Sequence, residues 1–225
     1  MHSTQYALIV AGGKGTRIPG NIPKQFIELN GLPVLMHTVN AFYAYSDDIH
    51  IILVLPADDF VAWDALCKLH QFQRPILLQP GGSTRFQSVK LGLSRIEGEG
   101  IVAIHDGVRP MVTPEIIKKS FDLAEQNRSA VASVALKESI RRIDSGKTSA
   151  LDRSHYTLIQ TPQTFQVSLI RSAYDIPEDP ALTDDASIAE RAGHAISLFE
   201  GSYDNIKITT VEDLVMARAL LKARS

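Results

Sequence analysis

The chain has 225 residues, 44% of them hydrophobic and 21% charged, which suits one large domain with a sizeable core. Its 23 basic and 25 acidic residues leave a net charge of -2, so no general basic field exists to hold nucleic acid. The single cysteine, Cys67, excludes an internal disulfide framework, and no apolar run reaches the roughly seven residues of a signal-peptide core or the roughly twenty of a membrane span, which predicts a soluble cytoplasmic protein.

Short β-rich runs alternate with helical periods. Residues 6–10 read as the first strand, and a helix begins near Pro33 with Leu35, Val39 and Phe42 on one face. Residues 49–55 are apolar on both faces, as a strand covered by helices on each side should be. Residues 57–70 read as helix, 75–79 as a short strand, and 84–96 as a helix carrying Phe86, Val89, Leu93 and Ile96 at helical spacing. Residues 101–105 form another buried strand. Thr113-Pro114-Glu115 marks a helix start, with a hydroxyl cap and a proline in the first turn, and residues 130–136 return to strand.

Residues 139–143 and 149–153 flank Asp144-Ser145-Gly146-Lys147, a hairpin turn signal with few apolar neighbours. Residues 137–163 are therefore expected to be an arm that projects from a single domain spanning 1–225 and offers a dimer contact. Thr183-Asp184-Asp185 reads as a helix N-terminus, where acidic residues suit the dipole. A short strand near 206–208 and a helix from Thr210, capped reciprocally with Asp213, close the chain.

Strand and helix alternate in the order of a mostly parallel sheet with helices on both faces, and ligands on such sheets sit at the carboxyl ends of the strands. Three loops follow strands there: residues 12–20, 80–83 and 106–110. The first reads Ala11-Gly12-Gly13-Lys14-Gly15-Thr16-Arg17, then Pro23-Lys24-Gln25. Glycines let successive backbone N–H groups converge on an anion, and Lys14, Arg17 and Lys24 add charge around it, so a triphosphate is the natural guest. The dinucleotide fingerprint fails, because Ile18 stands where a glycine is needed and Leu35 where an acid is needed. The P-loop fails as well, because Asn21-Ile22 replaces its Lys-Ser/Thr.

With Gly81-Gly82-Ser83-Thr84-Arg85 and Ser88, His105-Asp106-Gly107-Val108-Arg109-Pro110, Asp152-Arg153, Thr161-Pro162-Gln163, residues 183–187 and residues 204–209, the glycine loop resembles the 2-C-methyl-D-erythritol 4-phosphate cytidylyltransferases of the non-mevalonate isoprenoid pathway, from first strand to last helix. The resemblance implies a three-layer Rossmann-like nucleotidyltransferase fold. It also implies that Ala11, Gly12, Gly13, Gly15, Gly82, Ser83, Ser88 and Asp106 hold CTP. Arg17, Lys24 and Lys207 would be catalytic, and Arg109, Ser139, Arg153, Thr161 and Lys207 would hold methylerythritol 4-phosphate. Asp106 would bind Mg²⁺, with Asp204 as a second ligand, and a homodimer would exchange arms so that Arg153 completes the partner's site. Many members carry Ala-Ala-Gly at Ala11-Gly12-Gly13, an aspartate at Ser83 and a threonine at Ser139.

The chemistry implied is attack of a phosphate oxygen on the α-phosphorus of CTP. A phosphate monoester with a second pKa near ~6 is already mostly ionised at neutral pH, so no general base is needed. The work is positioning and charge neutralisation. For several residues a structural role competes. His105 reads as a packed or hydrogen-bonded histidine, Arg141 and Arg142 as a solvated hairpin face, and Trp63 and Met36 as core. No zinc-ligand spacing joins the seven histidines to Cys67. Two rivals stay open at this point, a ribitol 5-phosphate cytidylyltransferase and a catalytically silent nucleotide-binding module.

Overall fold

The computed structural model describes residues 3–13 and 22–224. Along the chain come β1 (Gln5–Val10), the short ladder of β2 (Glu28–Leu29) and β3 (Leu32–Pro33), α1 (Val34–Tyr45), β4 (His50–Leu55), α2 (Phe60–Leu69), β5 (Leu77–Pro80), α3 (Arg85–Leu93), β6 (Ile101–Asp106) and α4 (Pro114–Asn127). The second half adds β7 (Ser129–Ala135), β8 (Ile140–Asp144), β9 (Lys147–Leu151), β10 (Thr157–Gln166), α5 (Val167–Ala173), α6 (Asp185–Arg191), β11 (Leu198–Glu200) and α7 (Val211–Arg224).

Seven strands form one sheet in the order β11-β7-β10-β6-β1-β4-β5. Only β10 runs against its neighbours, β6 and β7; the other pairings in this sheet are parallel. Because strand side chains alternate faces, each apolar run feeds two cores. Ala7, Ile9, Ile51, Leu53 and Ala103 pack with Val39 and Phe42 of α1 and Phe121 of α4. Leu8, Ile52, Val54, Val102 and Ile104 pack on the other face with Val89 and Leu93 of α3 and Ile170 of α5. The mostly parallel, helix-covered sheet expected from the alternation is what forms. Phe42 is fully buried, and its truncation to alanine would cost about 3–5 kcal/mol.

The expected caps are present. Thr113 Oγ1 accepts from the Ile116 amide at 3.4 Å, with Pro114 in the first turn of α4. Asp213 Oδ2 accepts from the Thr210 amide at 2.8 Å while Thr210 Oγ1 accepts from the Asp213 amide at 3.3 Å. Asp184 and Ser187 form a capping box on α6. The hairpin also forms, Ile140 pairing with Leu151 and Asp144 with Lys147. Ser145 (φ 48°) and Gly146 (φ 81°) supply the two left-handed residues that a two-residue hairpin turn requires.

Two strands and one loop depart from expectation. β10 falls largely inside the stretch expected to be arm, and its sequence is polar and carries Pro162. It still forms a strand because its register against β7 shifts between Ile159 and Gln163, so the residue lacking an N–H sits at the irregularity. β11 was not evident because only three residues, Leu198–Glu200, pair with β7. Residues 206–208 are not a strand. They are a loop tied to the rest of the fold by the hydrogen bond from the Ile208 amide to the Val108 carbonyl at 2.9 Å.

Candidate functional site

The site is assembled at the carboxyl edge of the sheet, where β1 has neighbours on both sides. Val10 of β1 lies opposite Asp106 of β6, so the glycine turn and the carboxylate leave the sheet at the same level. The Gly81 amide donates to the Leu55 carbonyl at 2.8 Å and brings the turn after β5 to that edge. Between these turns lies a cavity of about 530 Å³ lined by Ala11, Gly12, Gly13, Lys24, Gly82, Ser83, Ser88, Asp106 and Lys207. This is the size of an ordinary small-molecule site. The Lys24 ammonium stands 4.0 Å from where a β-carbon on Gly13 would be.

The second glycine turn is held open by side-chain bonds. Ser88 Oγ accepts from the Gly82 amide at 3.1 Å and donates to the Thr84 carbonyl at 2.8 Å. The Ser83 amide and hydroxyl both donate to Gln87 Oε1, at 3.1 and 2.9 Å. A β-carbon at Gly82 would lie 2.4 Å from Gln87 Cβ, so the turn admits no larger residue there without moving. At Gly12 the nearest atom to such a carbon is Ser88 Oγ at 3.9 Å, ordinary contact. An alanine at that position would therefore fit.

Asp106 is the electrostatic centre. Its carboxylate meets Lys207 Nζ at 3.0 Å, Arg109 Nε at 3.3 Å and Arg85 Nε at 4.0 Å. Burial pushes its pKa up, but the charges of Lys207, Arg85 and Arg109 win and hold it well below the ordinary carboxylate range. Beside it, burial pushes His105 down to about 4, against the pull of the Asp106 charge. The ring is therefore neutral at pH 7, and its partners fix the tautomer. Nε2 faces the Arg109 carbonyl at 3.3 Å and must carry the proton; Nδ1 then accepts from Thr161 Oγ1 at 3.0 Å. Thr161 Oγ1 in turn accepts from the Asp106 amide at 3.1 Å. The packed reading of His105 holds.

A second cavity of about 360 Å³ adjoins the first, lined by Thr161, Gln163, Thr183 and Asp184. Arg85, Asp106 and Lys207 line both cavities and form the wall between them. Arg109 lines neither but bonds Asp106 and donates to the Asn205 carbonyl at 2.8 Å, which ties the loop preceding Lys207 to β6. Arg85, Gln163 and Thr183 were not singled out from sequence. Each lay inside a quoted segment, and the available signal was the position of those segments at strand ends or a helix start.

Other expected residues lie elsewhere. Gly15 and Arg17, with Lys14, fall outside the described residues. Ser139 and Arg153 belong to the exposed arm and line neither cavity; Arg153 donates to the Lys137 carbonyl. Asp204 lines neither cavity and pairs with Arg224 at 3.2 Å. Among the described residues no group of three His, Cys, Asp or Glu side chains could hold a metal by itself. A larger groove, about 1060 Å³, opens at the amino ends of β1 and β4. It has Asp47, Asp48 and Glu97 in its lining against a single arginine, Arg95, a poor host for phosphates.

A glycine turn and an ammonium at the edge where ligands bind on such sheets, beside a second cavity across a wall of paired charges, place the protein among those that bind phosphate-bearing ligands. The comparisons with known proteins narrow the class. The family model of 2-C-methyl-D-erythritol 4-phosphate cytidylyltransferase matches residues 5–223. The enzyme of that name from Bacteroides thetaiotaomicron is 45% identical over 96% of this chain and 99% of its own length. The one from Bacillus licheniformis is 36% identical over 96% of this chain and 95% of its own. Among solved structures, 4-diphosphocytidyl-2C-methyl-D-erythritol synthase from Anaerococcus prevotii superposes with a TM-score of 0.82 at 29% identity, covering 98% of this chain and 96% of that one. The chain belongs to the 2-C-methyl-D-erythritol 4-phosphate cytidylyltransferase family.

Proposed function

We infer that the chain transfers the cytidylyl group of CTP to 2-C-methyl-D-erythritol 4-phosphate, giving 4-diphosphocytidyl-2-C-methyl-D-erythritol and pyrophosphate. Within this family, the observation that carries the reading is the shared wall. Lys207 and Arg85, clamped to Asp106, separate a nucleotide-sized cavity from a second polar one. A bond forms between a phosphate oxygen of the polyol and the α-phosphorus of CTP as the bond from that phosphorus to the bridging oxygen of pyrophosphate breaks. No group need remove a proton from an already ionised phosphate.

The residues then have separate tasks. The turn at Gly12–Gly13 offers backbone donors to the nucleotide, and the turn at Gly82–Ser83, whose amides are bonded to Ser88 and Gln87, offers room beside it. Lys24 stands beside the first turn, where the triphosphate would lie, and neutralises charge that grows on the transferring and leaving groups. Lys207 does the same from the second cavity. Arg17 belongs to this set by its place in the family's motif. Asp106 would hold Mg²⁺, and a single carboxylate suits this ion because it is commonly bound by one or two carboxylates together with substrate phosphates and water. The ion would supply charge neutralisation at the phosphates. Asp204, paired with Arg224, stands outside this arrangement.

Ser139 and Arg153 line neither cavity of their own chain, and by the family resemblance they would reach the partner's site in a homodimer that exchanges arms. The enzyme works in the cytoplasm; among the described residues no helix is long and apolar enough to cross a membrane. The test is pyrophosphate release from CTP and Mg²⁺, with methylerythritol 4-phosphate and ribitol 5-phosphate offered in parallel. Turnover confined to the former is expected. Turnover confined to ribitol 5-phosphate would move the chain to another polyol phosphate, and CTP binding without turnover would leave a binding module.

A further inference from the structure

Arg85 opens α3 immediately after the second glycine turn, and Asp185 opens α6 immediately after Thr183 and Asp184 of the second cavity. The two side chains meet as a bidentate pair, Nη1 to Oδ1 at 2.8 Å and Nη2 to Oδ2 at 2.6 Å. Tyr174 donates to the same Oδ1 at 2.6 Å, and Asp185 is fully buried. Burial, then the Asp185 charge, keeps the Tyr174 hydroxyl well above its ordinary pKa, so it remains a donor. Arg85 itself keeps 29% of its side chain exposed, lines both cavities, and turns Nε toward Asp106. Burying a carboxylate completely is costly unless it is fully satisfied, and here satisfaction also fixes a guanidinium at one place and angle.

We propose that Asp185 is a positioning residue of the transfer reaction: together with Tyr174 it fixes Arg85 on the wall between the two cavities, where Arg85 steadies Asp106 and presents its remaining N–H groups to the anions on either side. The proposal rests on the transferase reading above. It also links the two cavities, because the same bridge joins the start of α3, beside the glycine turn of the first, to the start of α6, beside the second.

The test compares Asp185→Asn, Arg85→Gln and the double variant in the full-length chain. Melting temperature, circular dichroism, CTP affinity by calorimetry, kcat and the KM of each substrate are measured at a temperature where all are folded. We expect each single change to lower kcat/KM about ten- to a hundred-fold, the cost of a misplaced group, and the double variant to be no slower than the slower single. A bridge that only holds the fold would lower the melting temperature and leave kcat and both KM values unchanged; that result overturns the proposal. Should Asp185→Asn not fold, Tyr174→Phe decides, since it removes one donor to Asp185: slower turnover at unchanged melting temperature supports the proposal, and unchanged kinetics overturns it. If the wild-type chain releases no pyrophosphate, the transferase reading falls, and the CTP affinities of the variants still decide whether the bridge serves the site.

Discussion

Asp106 and Asp152 both lie in segments that resemble the family, and they live in opposite surroundings. Asp106 is nearly enclosed at the end of β6 and meets Lys207, Arg109 and Arg85. Asp152, on the exposed arm, bonds the amide and hydroxyl of Ser154 at 3.0 and 2.8 Å and serves as a local turn cap. Arg109 and Arg153 repeat the contrast, one with 11% of its side chain exposed and bonded on two sides, the other on the surface of the arm. At the cleft the protein itself has replaced most of the water around Asp106 and Arg109, so those groups are oriented before any ligand arrives. On the arm, water still solvates them. A cleft residue therefore acts within its own chain, whereas an arm residue acts through whatever it touches next.

Five measurements sharpen or break this contrast. The largest effect is expected from Lys24→Ala, which removes a cation fixed beside Gly13. Pyrophosphate release should fall by at least about ten-squared to ten-cubed, and a loss of less than roughly tenfold would mean that Lys24 is not at the reacting phosphates.

The second concerns acid stability. His105 titrates near 6.5 when unfolded and at about 4 when folded, so between those values the unfolded chain binds the extra proton and stability falls as pH falls. The full difference is on the order of 3 kcal/mol. Asp106, depressed in the fold, adds its own loss only below about pH 4, where an ordinary carboxylate protonates. Urea unfolding from pH 7 to 4 should show the first slope, and His105→Gln should flatten it. An unchanged slope would place that proton uptake elsewhere.

The third compares two glycines. Gly82→Ala must displace Gln87 and should raise the KM for CTP several-fold, while Gly12→Ala should leave KM and melting temperature almost unchanged. Equal effects would mean that the two turns do not differ in crowding. The smallest signal comes from the arm. Ile143 is 75% exposed, so Ile143→Asp should shift the stability of one chain by no more than about 0.5 kcal/mol while weakening dimerisation in sedimentation. For arm exchange itself, mixing subunits of Lys24→Ala with Arg153→Ala should restore roughly a quarter of wild-type activity, because half the dimers then carry one intact site. No recovery after subunit exchange would place Arg153 in its own chain's site, and full activity of Arg153→Ala by itself would place it in none.

Much of this was legible before the fold was known, for identifiable reasons. β1, β4 and β6 are buried on both faces, so apolar runs alone mark them. Thr113, Asp184 and Thr210 announce helix starts because caps are local hydrogen bonds between near neighbours in sequence. The Asp144–Lys147 turn is legible for the same reason. β10 was not, because its polar side chains are satisfied by distant partners. Thr164 Oγ1 bonds Ser120 Oγ at 3.0 Å, and the Gln163 amide nitrogen bonds Asp184 Oδ2 at 2.9 Å. Residues 206–208 misled in the other direction: two isoleucines around a lysine alternate like a strand, yet the Ile208 amide bonds Val108 in the loop after β6 rather than a strand.

The sequence by itself determined the alternation that makes a parallel sheet, the glycine turn at its carboxyl edge, and the residue types that suit phosphates. Local periodicity, capping and backbone freedom are properties of neighbouring residues, so they are written in order. Only the tertiary structure decided that Asp106, Lys207, Arg109 and Arg85 share one cluster, that Asp185 stands behind Arg85, and that Asp204 turns to Arg224. Those pairings join residues as much as 101 positions apart, between Asp106 and Lys207. Charge interactions depend on distance and burial in space, which no local pattern encodes.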